Sequence, residues 1–237
     1  MRTPSLLTGR WTRYVVTKKE VVRTTWAFKA ALTIALFLGA YLTEPAWAHA
    51  VAEGLVCGQA QPLERVDAIL IDDFESDYLL FQQARWLQEA GLGTTIIAPV
   101  NALANGSISP VSQAVVEVLA RQARVKHVNT VPVGDGEPIS LNAAFRIKQF
   151  VSENGIRSVM VVTPAFRSER SMTIYRAVLE PVGVLAQCAP VFGGRTQDNW
   201  TQTWHGIQDV ALQFTKLQYY RWYVLPFRFQ EPGGVSH

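Results

Sequence analysis

Three arginines stand close together in "VTPAFRSERSMTIYR", residues 162–176: Arg167, Arg170 and Arg176. The stretch follows an apolar run and opens a helical pattern, which puts Arg167 and Arg170 at the mouth of a helix. A helix N-terminus already carries partial positive charge, so arginines there are unfavourable unless something negative answers them. A bound phosphate or carboxylate would answer them, because helix starts and guanidinium forks both suit such anions. An acidic side chain from a neighbouring loop would serve equally. "IDDFESD", residues 71–77, offers Asp72, Asp73, Glu75 and Asp77. On the first reading Asp72 or Asp73 holds a cation or acts as a base beside the ligand. On the second, acids and arginines simply neutralise each other and fix two loops.

The elements that must position these groups follow from periodicity. Short apolar runs of strand length occur at 66–71, 94–100, 127–133, 158–163 and 184–191. Their continuous hydrophobicity suits strands buried on both faces. Amphipathic stretches separate them at 78–91, 109–123, 139–155 and 168–183, and a last one spans 203–224. Gly91 and Gly155 close two of these, and Ser109 with Pro110 opens another. Strands alternating with helices predict a Rossmann-like three-layer α/β/α sandwich around a mainly parallel five-stranded sheet. Ligands in such sheets sit outside the carboxyl ends of the strands, where strand order reverses. The polar residues leaving those ends are Asp72 and Asp73 after the first strand, Ser140 and Asn142 after the third, and Thr163, Arg167 and Arg170 after the fourth. These seven form the candidate ligand site.

Several chemistries lack their signatures. No strand is followed by G-x-G-x-x-G or a P-loop, so ordinary dinucleotide binding is not expected. No G-x-S-x-G elbow offers a hydrolase nucleophile. The four histidines are scattered and no Cys-x-x-Cys occurs, so no metal site is expected. The cofactor is left unknown. Cys57 and Cys188, the only cysteines, either pair or remain buried thiols. Asp67 precedes the first apolar run, at the end of the sheet opposite the ligand edge, and reads as structural.

Charge is divided unevenly along the 237 residues. Residues 1–49 hold seven basic side chains against Glu20 and Glu44, a net +5, whereas the remainder is slightly acidic. That remainder gives no reason to expect nucleic acid, which is bound through clustered positive charge. Residues 26–43, "WAFKAALTIALFLGAYLT", contain one charge, Lys29. Eighteen helical residues cover about 27 Å, near the hydrocarbon thickness of a bilayer. The expectation is one transmembrane helix over 26–43, with residues 1–25 cytoplasmic by the positive-inside rule. A juxtamembrane linker over 44–65, an extracytoplasmic domain over 66–224 and a loose tail over 225–237 complete it. The rival is signal-peptidase cleavage after "AWA", residues 46–48.

The order of these pieces over residues 30–225 resembles the YdcF/SanA/ElyC-like family of bacterial envelope-associated domains. "PLERVDAILI" is similar to its linker and first strand, and "SDYLLFQQARWLQEAG" to its following helix. "ISLNAAFRIKQFVSENGIRSVMVVTPAFRSERS" resembles its most recognisable helix–strand–turn segment. "WTQTWHGIQDVALQFTKLQYYRW" is similar to its closing Trp- and Tyr-rich helix. The chain departs from the family at Asp72 and Asp73, where glycines are usual, at Asn142, where Glu is common, and at Arg167, where His is common. Gln213 replaces a common acid, and Arg170 matches. The loss of an acid and an imidazole weakens proton transfer and leaves anion binding comparatively intact. The resemblance implies an envelope role, since members are associated with cell-wall or barrier functions; with the site residues above, the leading expectation is a membrane-anchored factor in cell-wall biogenesis that binds a phosphorylated or otherwise anionic, lipid-linked or small-molecule envelope intermediate. An enzyme acting on such a ligand, or a scaffold with a vestigial pocket, are the alternatives.

Overall fold

A computed structural model describes residues 25–58, 63–72 and 77–229. Asp73 and Glu75 therefore lie outside the described residues. The chain divides into two units, one ending at Glu44 and the other beginning at Pro45.

In the first unit, helix α1 (Trp26–Leu42) is capped by the Thr25 hydroxyl and buries none of its side chains within the protein. It stops at Thr43, one residue before Glu44 and Pro45 open helix α2 (Glu44–Glu53). The expectation of a single spanning helix over 26–43 is not supported. No single helix among the described residues is long and apolar enough to cross a membrane, although α1 and α2 reach that length and composition together as a broken pair. Residues 44–65 also depart from a plain linker. Ala48 and Ala52 of α2, with Leu55, Val56 and Cys57 beyond it, are buried in the second unit.

The second unit is built on five parallel strands: β1 (Ala68–Ile71), β2 (Thr95–Asn101), β3 (Asn129–Val133), β4 (Ser158–Pro164) and β5 (Leu185–Val191). Their spatial order is β3-β2-β1-β4-β5, so the order reverses between β1 and β4. Helices α3 (Tyr78–Glu89), α4 (Pro110–Gln122), α5 (Ile139–Glu153) and α6 (Ala165–Leu179) connect the strands. All four residues of β1 are buried, as a central strand covered on both faces requires. Ile69, Ile71, Ile96, Met160 and Val162 pack on one face with Leu80, Phe81 and Leu87 of α3 and Val116 of α4. On the other face Leu70, Ile97, Val131 and Val161 meet Leu141 and Ile147 of α5 and Met172, Tyr175 and Val178 of α6.

Helix α7 (Trp204–Tyr219) lies outside α6, and Val210 and Leu217 pack against Phe166, Trp200 and the buried part of α2. The chain continues through a π-helical turn at Tyr220–Val224 into α8 (Leu225–Arg228). Helix α6 is thus covered by the sheet, α5 and α7. That explains why ten of its fifteen residues are buried, including Ser168, Arg170 and Ser171.

Two fastenings hold the edges of this unit. A disulfide joins Cys57 to Cys188 in β5, across 131 residues of sequence. Asp67 ties the start of β1 to that of β4: its Oδ2 accepts the backbone N–H of Arg157 (2.9 Å) and of Ser158 (3.0 Å). These donors, led by Arg157, hold its carboxyl below the ordinary range. A depressed folded-state pKa gives stability that is present above the unfolded value and is lost as pH falls through the folded one. Asp67→Ala should therefore cost about 1 kcal/mol near neutrality, discounted because the group is exposed. The cost should shrink when urea melts are repeated at progressively acid pH; a cost independent of pH would show that the carboxylate charge is irrelevant.

Candidate functional site

Residue 72 follows β1 directly, and its backbone N–H still bonds to Val162 O (2.9 Å). The side chain consequently points into the cleft where strand order reverses, and it is 2% exposed. A carboxylate cannot remain there without donors. Helix α6 supplies them from one face: Arg167, Ser171 and Tyr175 recur at a spacing of four residues, one above another on a helix. The Tyr175 hydroxyl donates to Oδ1 (3.0 Å), the Ser171 hydroxyl donates to Oδ2, and Arg167 Nη2 reaches Oδ2 at 3.5 Å. Thr163 adds a long contact to Oδ2 at 3.5 Å from the end of β4. Burial, then the adjacent Asp72 charge, push the Tyr175 phenol well above its ordinary pKa, so Tyr175 serves as a neutral donor.

Asp72 is therefore a buried hub whose oxygens are committed to α6 and β4. Nothing in this geometry leaves it poised as a base or a metal ligand. Among the described residues no three His, Cys, Asp or Glu side chains come together to hold a metal ion.

Arg170 faces different company. It is 6% exposed, and its Nη1 donates to Ser140 Oγ (3.3 Å) at the start of α5 while Nη2 donates to Gln213 Oε1 (3.2 Å) of α7. Its guanidinium carbon lies 5.6 Å from the centre of the Tyr220 ring. Among the described residues no carboxylate stands within ion-pair distance of it, and Nε is buried without a hydrogen-bond partner. Burial, then the neighbouring Arg167, lower its pKa, while Asp72 works in the opposite sense. An arginine does not relieve this by losing its proton. Among the described residues, the charges gathered here are the buried Asp72 and Arg170 and the half-buried Arg167.

Of the expected site residues, Asp72, Ser140, Thr163, Arg167 and Arg170 converge on this cleft. Asn142 does not: its amide N–H donates to Gly136 O and pins the loop after β3. Asp73 is outside the described residues. Sequence reasoning missed Ser171, Tyr175 and Tyr220. The first two were marked by their four-residue spacing from Arg167 along α6, whereas Tyr220 carried no such mark.

A cavity of about 600 Å³ opens beside the cluster, at the carboxyl ends of β4 and β5. Arg167 and Gln213 line it. A second cavity, of about 670 Å³, lies at the far edge between Ala102, Gly134 and Arg146, away from every member of the cluster. The position of the first cavity near the reversal of strand order, lined by the half-buried Arg167 and by Gln213, the partner of buried Arg170, makes it the better ligand site.

A strap fixes the helix that carries these groups. Leu55 O accepts the Glu169 N–H (3.0 Å), and the Cys57 N–H donates to Ser168 Oγ (2.9 Å). The Cys57–Cys188 bond therefore secures the segment lying along the first turns of α6. Comparison with known proteins gives no relative: no family model matches the chain, nor does any curated protein or solved structure.

If Asp72 is a hub, removing it should cost stability before anything else. Asp72→Ala should lower the unfolding free energy by about 3–5 kcal/mol, the range for breaking a buried pair. Tyr175→Phe should cost about 1.5–3 kcal/mol, as for a hydrogen bond to a charged group. Urea denaturation measures both. An Asp72→Ala protein as stable as wild type would mean that Asp72 is not what holds α6 to the sheet.

Proposed function

We propose that this chain is a membrane-anchored extracytoplasmic factor of bacterial cell-envelope biogenesis that binds a phosphorylated or otherwise anionic envelope intermediate. Arg167 and Arg170 provide the positive field, with Ser140 and Gln213 as polar partners. The observation that carries the anion reading is the unequal treatment of the two arginines. Arg167 is answered by Asp72, whereas Arg170 is held by neutral groups in a buried place. Such a charge costs solvation free energy that an incoming anion would return.

The envelope role rests on the order of elements shared with the YdcF/SanA/ElyC-like family. The membrane attachment rests on the basic N-terminal segment and on α1, which is apolar and buries nothing within the protein. The disulfide favours an oxidising compartment. A catalytic reading through Asp72 gains no support, because its oxygens are already engaged.

Gln213 is the decisive position for the ligand. Gln213→Glu would place a carboxylate on Arg170 and neutralise it. The variant should melt higher than wild type without ligand and lose most of its response to inorganic phosphate. Wild type should gain about 2.7 kcal/mol at phosphate concentrations a hundredfold above the dissociation constant. An undiminished phosphate response in Gln213→Glu would place the anion elsewhere.

The compartment is tested separately. Alkaline-phosphatase fused at His237 should be active in intact cells, and acid-quenched alkylation should trap Cys57 and Cys188 as a disulfide. Free thiols at both positions with a silent fusion would put the domain in the cytoplasm.

A further inference from the structure

From the second half of α7 into α8 the chain turns an apolar face outward. Leu217, Tyr220 and Val224 are buried and hold this stretch on the domain, and the Phe229 ring meets Phe145 of α5 at 5.6 Å. The outer positions of such a surface helix are ordinarily polar. Here Leu212, Phe214, Tyr219, Trp222, Tyr223 and Phe227 are all exposed, Trp222 by 71% and Phe227 by 72%. Tyr219, Tyr223 and Phe227 recur every four residues, with successive ring centres 5.4 and 6.2 Å apart. Exposed apolar residues scattered singly need no explanation, whereas a contiguous aromatic run marks a surface that meets something.

Charge and side-chain chemistry say what that is. Residues 210–229 contain Lys216, Arg221 and Arg228 and no acidic residue. Arg221 reaches Glu169 Oε1 at 3.4 Å, an exposed contact that neutralises little. Two copies of this face laid together would oppose like charges, with no acid in the stretch to answer them. An anionic lipid surface answers them directly, and basic residues near it gain from its potential. Tyrosine and tryptophan, with an apolar body and a polar tip, belong at the headgroup level of a bilayer. Aromatic and basic residues together are also the composition of helices that lie in that interface. In a chain tethered by α1, such a contact is intramolecular and need not be strong by itself.

We propose that the outer face of α7 and α8, from Leu212 to Phe227, lies against the surface of an anionic lipid bilayer. The rings of Tyr219, Trp222, Tyr223 and Phe227 enter the headgroup layer, and Lys216 meets lipid phosphates. This rests on the membrane attachment proposed above and adds a second contact to it. The contact brings α7, the helix that carries Gln213, to the lipid surface.

Because Cys57 and Cys188 are paired and are the only cysteines, one added cysteine takes a nitroxide label alone. Phe227→Cys and, separately, Trp222→Cys replace exposed rings and leave the core intact, and Gln122→Cys at the exposed end of α4 is the reference. Each labelled full chain is reconstituted into vesicles of mixed phosphatidylcholine and phosphatidylglycerol. Relaxation of the label by oxygen, which concentrates in lipid, is compared with relaxation by a nickel chelate, which stays in water. The oxygen-to-nickel ratio at 227 and 222 should be several-fold above that at 122. It should fall to the reference value when the chain is held in an amphipathic polymer instead of vesicles. Equal ratios at all three positions in vesicles would overturn the proposal. Labels at 227 and 222 shielded from both reagents in vesicles and in polymer alike would also overturn it, because a protein surface would then cover the face. A ratio unchanged in vesicles of phosphatidylcholine alone would overturn the pairing of basic residues with lipid charge. A full chain that fails to float with vesicles would instead remove the membrane attachment, and with it this contact.

Discussion

The structure of the site depends on one buried carboxylate. Asp72 emerges from the central strand at the point where strand order reverses, and it cannot stay charged there without donors from outside the strand. Arg167, Ser171 and Tyr175 provide them from a single face of α6. Satisfying Asp72 thereby sets the rotation of α6 about its axis, and that rotation turns Arg170 toward α5 and α7. The same helix is held from behind by the strap at Leu55–Cys57, which the disulfide fastens to β5. Sheet, strap and hub all act on one helix, the one that carries both arginines.

From this follows the asymmetry that gives the site its chemistry. Asp72 can answer one arginine, and the other is left among a serine, a glutamine and a tyrosine ring. Were residue 213 acidic, Arg170 would be neutralised within the fold and the pocket would lose its field. Glutamine keeps the carbonyl that orients the guanidinium but brings no charge. The arginines at the helix mouth therefore have two answers, one for each residue. Arg167 is held in part by an internal acid, and Arg170 by neutral groups that orient it.

Much of the architecture was legible because it is written in local periodicity. The five strand cores match the five apolar runs closely, and β1, "AILI", is buried throughout as a continuous run should be. Contacts between distant residues were less legible. The start of α6 at Ala165 rather than near residue 168 follows from Pro164, whose extended backbone ends β4 and opens the helix at once. Asn142 shares a helix with Ser140, yet two residues further along its side chain reaches back to Gly136 O instead of the cleft. Residues 44–57 read as linker, although Trp47, Val51, Leu55 and Val56 among them are apolar. Ala48 and Ala52 are buried all the same, because small side chains allow α2 to approach Trp200, whose indole N–H bonds to Ala48 O (3.2 Å). The pairing of Cys57 with Cys188 depended on this packing, which no spacing encodes.

Arg170 is a buried guanidinium without an acidic partner among the described residues, and in the function proposed here an anion answers it. Its Nε–H group is the direct reporter, being buried without a hydrogen-bond partner among the described residues. In protein labelled with ¹⁵N-arginine, with Arg170→Lys used for assignment, that group should give a side-chain resonance protected from solvent exchange. Titration with inorganic phosphate should shift it in a saturable manner, and Gln213→Glu should suppress the shift. A resonance that exchanges freely with solvent, or one that phosphate leaves in place while binding is seen by calorimetry, would contradict the account.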